Sequence, residues 1–128
     1  MRDIASNIGV VQLVVPAVLS ATNTAEPVDL QGFESAAVVI NTGAIVSAGD
    51  FTAKLQESDT TETGDFTDVA AEHLIGTLPA TLEAASTYKQ GYAGHRRYLR
   101  TVITKNGGTS IAASAVLVKG HPHVRPVA

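Results

Sequence analysis

Apolar residues along this chain recur with a period of two. The clearest case is DFTAKLQES, residues 50–58, where Phe51, Ala53 and Leu55 point one way and Thr52, Lys54 and Gln56 the other. That alternation predicts a half-buried strand. Residues 10–15 form the first strand candidate. Pro16 cannot donate to a ladder, so it marks an edge, a bulge or the strand's end. Residues 36–40 are a continuous apolar run, which predicts a strand buried on both faces. Asn41 to Gly43 follow with turn residues that end it.

The later half adds more strands. STYKQGYAG reads as a strand ending in turn residues. HRRYLRTVITK is long and strongly β-prone, and TSIAASAVLVKG returns after NGG, a tight-turn signal. Residues 96–118 are therefore expected to form a β-hairpin. FTDVAAEHLIGTLP, residues 66–79, allows two readings. In one, Asp68 caps a short helical turn over residues 70–75 that Gly76 and Pro79 stop. In the other, residues 66–69 form a strand followed by a turn. The count is seven or eight antiparallel strands and at most one short helix. This is the pattern of an all-β, jelly-roll-like β-sandwich. The expected organisation is an N-terminal arm (1–9), one sandwich domain (10–119) and an extended tail (120–128), the tail carrying two prolines.

Composition sharpens the picture. The 128 residues fit one domain. Apolar residues make up 45%, with Ala and Val dominant and no Trp, so the core is thin. Charged residues are only 16%, against about 25% in an average domain. Few charges are left to keep every face wet, which suits a protein that covers part of its surface with partners. A net charge of −3 argues against a general nucleic-acid binder. The absence of cysteine excludes disulfides, thiolate zinc and cysteine catalysis. IGVVQLVVPAVLSA is interrupted by Gln12 and Pro16 and is too short to span a bilayer, so a strand is preferred to a signal peptide.

Candidate chemistry is sparse. Arg96, Arg97 and Arg100 crowd into five positions of an acidic chain. On a strand, Arg96, Tyr98 and Arg100 share one face and Arg97 and Leu99 the other. They read either as a solvated edge whose stems cover apolar neighbours or as planar donors for carboxylates of a partner subunit. Seven of the twelve acidic residues lie in residues 50–72 against one base, Lys54. That stretch is able to pair with the arginine strand within one chain or across a symmetric contact, and it lacks the spacing of a calcium loop. His121 and His123 have a weak metal-ligand spacing and read better as part of an extended tail; no metal or other cofactor is expected. His73 and His95 stand alone. No nucleophile elbow and no phosphate-cradling glycine loop is present.

With the strands in place, the chain resembles small head proteins of tailed bacteriophages, of the decoration or cement type. The resemblance rests on VDLQGFESAAVVINTG, KLQESDTTETGDFTDV, GYAGHRRYLRTVIT and TSIAASAVLVKGHP, and covers roughly residues 10–122. It implies a jelly-roll-like domain bound to the exterior of an icosahedral capsid. It implies contacts with the major capsid protein and with copies of itself as a homodimer or homotrimer, and no catalysis, specific nucleic acid or membrane. Synthesis in the host bacterial cytoplasm follows. Arg96, Arg97, Tyr98, Arg100, His121, His123 and Arg125 are the expected partner contacts. The rivals are a head–tail connector, neck or tail component, a glycan- or host-surface-binding module, and a small hydrolase built on His73 or His95.

Overall fold

A computed structural model describes residues 2–126. Ten strands run in the order β1 (Gly9–Leu19), β2 (Asn23–Thr24), β3 (Val28–Asp29), β4 (Phe33–Val46), β5 (Asp50–Ser58), β6 (Thr67–Asp68), β7 (Leu74–Ile75), β8 (Thr87–Tyr92), β9 (Tyr98–Gly107) and β10 (Ser110–Pro122). Six are long, and four are two-residue pairings. The only helical pieces among the described residues are 3-10 turns at Ala5–Asn7, Thr63–Asp65 and Ala71–His73. Sheet A has the order β1-β10-β4-β8-β7. Sheet B has the order β2-β9-β5-β6, with β3 also on β9, and every pairing is antiparallel. The all-β sandwich is therefore as expected.

The inward faces of the two sheets make the core. Leu13, Val14 and Leu19 of β1, Val38 and Ile40 of β4, and Ile111 and Leu117 of β10 meet Phe51, Leu55, Leu99 and Ile103 from sheet B. Phe51, Ile40, Leu99, Ile103, Ile111 and Leu117 have essentially no exposure. Each such side chain contributes about 1.5–3 kcal/mol by leaving water. Leu82 plugs the core from the long β7–β8 loop, which Thr52 and Thr42 tie down by donating to the carbonyls of Ala80 (2.8 Å) and Glu83 (2.5 Å).

The expected hairpin over residues 96–118 is corrected. Both strands and the glycine turn are present, but β9 and β10 do not pair. β9 lies inside sheet B between β5 and β2/β3, and β10 lies inside sheet A between β1 and β4. The turn is a corner that carries the chain from one sheet to the other. Gly108 has φ +70°, and a Cβ there would stand 2.2 Å from the Ala48 carbonyl oxygen. The β4–β5 and β9–β10 corners are therefore pressed together, and only glycine fits. An Asn-Gly-Gly run reports a tight reversal, not whether the strands it joins share a sheet.

Three further expectations are refined. Pro16 lies on edge strand β1, beside register shifts between Gln12 and Val14 and between Val14 and Ala17, so it marks an edge and a bulge and does not end the strand. Asn41 to Gly43 do not end β4, which continues to Val46 through a register shift opposite Ile111 and Ala113. Residues 66–79 hold β6, the 3-10 turn and β7; Ala70, not Asp68, occupies the N-cap position of that turn.

Candidate functional site

The three arginines have separate environments. Arg97 grips Asp29 of β3 with two hydrogen bonds, Nε to Oδ1 at 3.0 Å and Nη2 to Oδ2 at 2.8 Å, and also reaches Gln31 at 2.8 Å. That fork holds the Asp29 carboxyl below its usual range. Arg96 pairs with Asp59 just beyond β5. Both side chains stay nearly half exposed. Arg100 differs: it is buried on the outward side of sheet B, donates twice to Gln56 Oε1 at 2.9 and 2.7 Å, and lies 4.1 Å from the centre of the Phe66 ring. Gln56 in turn donates to Asp68 at 3.0 Å, and Lys54 completes a polar ladder across β9, β5 and β6. The acidic stretch thus meets the arginine segment within one chain through Asp59 and this ladder. Tyr98 is half-buried at the start of β9, beneath the Arg97 guanidinium at 5.2 Å.

Behind Arg96 and Arg97 lies a groove of about 400 Å³ lined by Phe33, Glu34, Tyr92, His95 and His123 as well as the two arginines. Tyr92 crosses between the sheets here. Its hydroxyl donates to Glu57 Oε1 at 2.6 Å and accepts from the Arg96 backbone N–H at 3.1 Å. Burial, reinforced by the Glu57 carboxylate, pushes the Tyr92 pKa well above its ordinary value. The GYAG turn makes this possible, because a Cβ on Gly94 would lie 2.4 Å from the Tyr92 ring.

The last residues of β10 and His123 are held beside this groove. β10 runs on to pair Pro122 with Phe33. His121 Nδ1 hydrogen-bonds Ser35 Oγ at 2.8 Å, His123 donates its backbone N–H to Gly32 (2.8 Å), and the His123 ring meets Glu34. Arg125 is exposed. Of the expected contact residues, Arg96, Arg97 and His123 line one groove, with Tyr98 and His121 at its margins and Arg100 away from it under Phe66. His73 and His95, which the sequence leaves apart, stand edge to face with ring centres 6.0 Å apart. Among the described residues no three His, Asp or Glu side chains are arranged to hold a metal, and no helix is long and apolar enough to cross a membrane.

A second surface was missed in the sequence. The outward face of sheet A carries Val10, Gln12 and Val18 of β1, Ala112, Ser114, Val116 and Val118 of β10, Ala37, Val39 and Asn41 of β4, Thr87 and Lys89 of β8, and Ile75 of β7. Val10, Val18 and Ile75 are 59%, 67% and 64% exposed. None of the chain's carboxylates belongs to this set, and Lys89 is its one charge. Residues 36–40 were expected to be buried on both faces; instead Ala36, Val38 and Ile40 face the core while Ala37 and Val39 remain half-buried on this outward side. The apolar run is unbroken because both faces of β4 are apolar, yet the sandwich covers only one. Valine and alanine at successive positions of SAAVVI and SIAASAVLV were the available signal.

No protein-family model matches the sequence, and no curated protein matches it. Among solved structures, a chain in the structure of infectious bursal disease virus Gx strain superposes with a TM-score of 0.50 at 15% identity, over 93% of this chain and 35% of that one. The chain thus spans about a third of that neighbour's length. At such identity the likeness is one of fold.

Proposed function

We propose that this protein is a non-enzymatic structural component of a virus particle, a decoration or cement protein on the exterior of a tailed-phage head. The observation that carries this reading is the two-faced sandwich. The outward side of sheet A is a broad, nearly charge-free surface of small apolar residues, whereas sheet B presents the Lys54–Gln56–Asp68–Arg100 ladder. A neutral apolar face of this breadth is what an interaction surface needs. The fold likeness to a chain of a virus structure supports the same reading.

The partners are the shell subunits and further copies of this chain. A protein repeated over a lattice needs only modest contacts, because binding the assembled state better than loose subunits shifts the equilibrium toward assembly. On this reading the shell's carboxylates meet Arg96, Arg97 and His123 at the groove, each beside a carboxylate of its own chain but still partly exposed, together with the exposed Arg125. The test is co-sedimentation of purified protein with empty heads of the virus that encodes it. Saturable binding, with copy number scaling with the number of shell subunits, is expected. Absence of binding, or a copy number fixed by a single vertex, would overturn the reading; the latter would point to a connector.

A further inference from the structure

We propose that the outward face of sheet A docks a second copy of this chain, as a two-fold face-to-face pair whose axis runs across the strands. The inference rests on the reading above and gives it a specific contact. The face is ordered in rows, because paired residues on neighbouring antiparallel strands project from the same side. One row holds Val18 and Ala112. The next holds Ser114, Asn41 and Thr87, then Gln12, Val116, Val39 and Lys89, then Val10, Val118 and Ala37 beside Ile75.

The relief of these rows is complementary to itself. At one end the small side chains of Ala17, Gly43, Ala112 and Ser114 leave a shallow hollow of about 340 Å³, edged by Pro16 and Val18. At the other end lie larger side chains, the half-buried Val118 with the exposed Val10 and Ile75. A two-fold axis crossing the strands midway between the Ser114 and Val116 rows lays each strand over the same strand of the other copy, so Ala112 in the hollow faces Val118 and Val18 faces Val10. On the central strand β10 small then meets large, Ala112 against Val118, at the β1 edge two valines meet, and the same patch serves both partners.

Charge and area agree. The axis places Lys89 opposite the Thr87 row of the other copy, away from the other Lys89, on a strand near the rim where its amine reaches water. The carboxylates that make the chain acidic all lie elsewhere, so no repulsion arises at the contact. At about 3.3 Å per residue along a strand and 4.8 Å between strands, the sheet presents roughly 700 Å² per copy, close to the ~800 Å² per partner of a standard stable interface. Addition of strands edge to edge is disfavoured, because Pro16 and two register shifts interrupt the free edge of β1.

The test is sedimentation equilibrium of the full chain from about 1 to 100 μM, with three outward-facing variants. The wild type is expected at twice the 13.2 kDa chain mass. Val116→Glu would bury an unpaired charge at the contact and should weaken association at least ~100-fold. Ala112→Leu adds apolar surface yet fills the hollow, so it too should weaken association. Val10→Lys, at an exposed edge position that the fold tolerates, should do likewise should Val116→Glu prove misfolded. Glu62→Gln, on the exposed loop after β5, should leave association unchanged. A monomeric wild type, or Ala112→Leu pairing as tightly as wild type, would overturn the proposal. The two readings separate in the head-binding assay: monomers that still coat heads sink the pairing alone, and pairs that ignore heads sink the virion reading alone.

Discussion

Replacing Tyr92 by Phe probes a polar clasp between the two sheets. Tyr92 is on β8 of sheet A and Glu57 on β5 of sheet B; they are only 4% and 8% exposed, and their hydrogen bond is 2.6 Å long. The substitution keeps the ring and removes one oxygen. Glu57 then loses its donor, and the Arg96 N–H loses its acceptor at 3.1 Å. A buried hydrogen bond to a charged group contributes about 1.5–3 kcal/mol, so a loss of about 2 kcal/mol is expected. In a domain of this size that lowers the thermal midpoint by about 8 °C. Urea unfolding monitored by circular dichroism measures it, and a double-mutant cycle with Glu57→Met should return a coupling of about 1–2 kcal/mol. The pH dependence has a definite sign. Folding raises the Tyr92 pKa above its ordinary value of 10.0, so its contribution is complete below that pH and is lost as the pH climbs toward the folded-state value. Wild type should therefore lose stability above pH 10 more steeply than Tyr92→Phe. A loss under about 0.5 kcal/mol, or identical alkaline profiles, would refute the clasp.

Four other outcomes follow from the same structure. Thr101 is fully buried and its hydroxyl has no partner among the described residues, so Thr101→Val should raise stability by about 1 kcal/mol in urea unfolding. Gly108→Ala combines a left-handed backbone with a 2.2 Å approach to Ala48 and should cost at least about 2 kcal/mol in the same assay. Arg100→Ala removes two donors to Gln56 and the cover over Phe66, for a cost of about 2 kcal/mol by thermal melts. Arg97→Ala should instead show up in an NMR titration, where the Asp29 carboxyl, held low by Arg97 in the wild type, moves back up toward its ordinary range. The Asp29 contribution is present above pH 3.8 and is lost as the pH falls through the folded-state value.

The elements were legible in the sequence wherever side chains alternate. Residues 50–58 form β5 as the pattern requires, and the Pro16 edge and bulge follow from a missing N–H. What the pattern could not carry is pairing. Alternation places a residue on a face but does not say which strand lies beside it, so the β9–β10 turn was read as a hairpin when it is a corner between sheets. Of the four two-residue strands, β6 falls within the strand reading of residues 66–69, while β2, β3 and β7 were illegible for a related reason: pairings that short are imposed by neighbours and leave no periodicity. The arginine cluster was visible as composition. Its division into one buried residue and two half-exposed ones depended on Gln56, Phe66, Asp29 and Asp59, which are distant in sequence. The uncovered face of sheet A was present all along as the unbroken apolar run in SAAVVI, taken to mean a strand enclosed on both sides. Apolar alternation reports which surfaces avoid water, and a partner satisfies that demand as well as a core does.

The most direct test of a virion tile is a cryo-EM reconstruction of heads carrying the bound protein. The account predicts two-sheet sandwich density at every equivalent shell position, with the outward face of sheet A turned toward another protein surface. Density confined to one vertex, or that face open to solvent at every site, would contradict it.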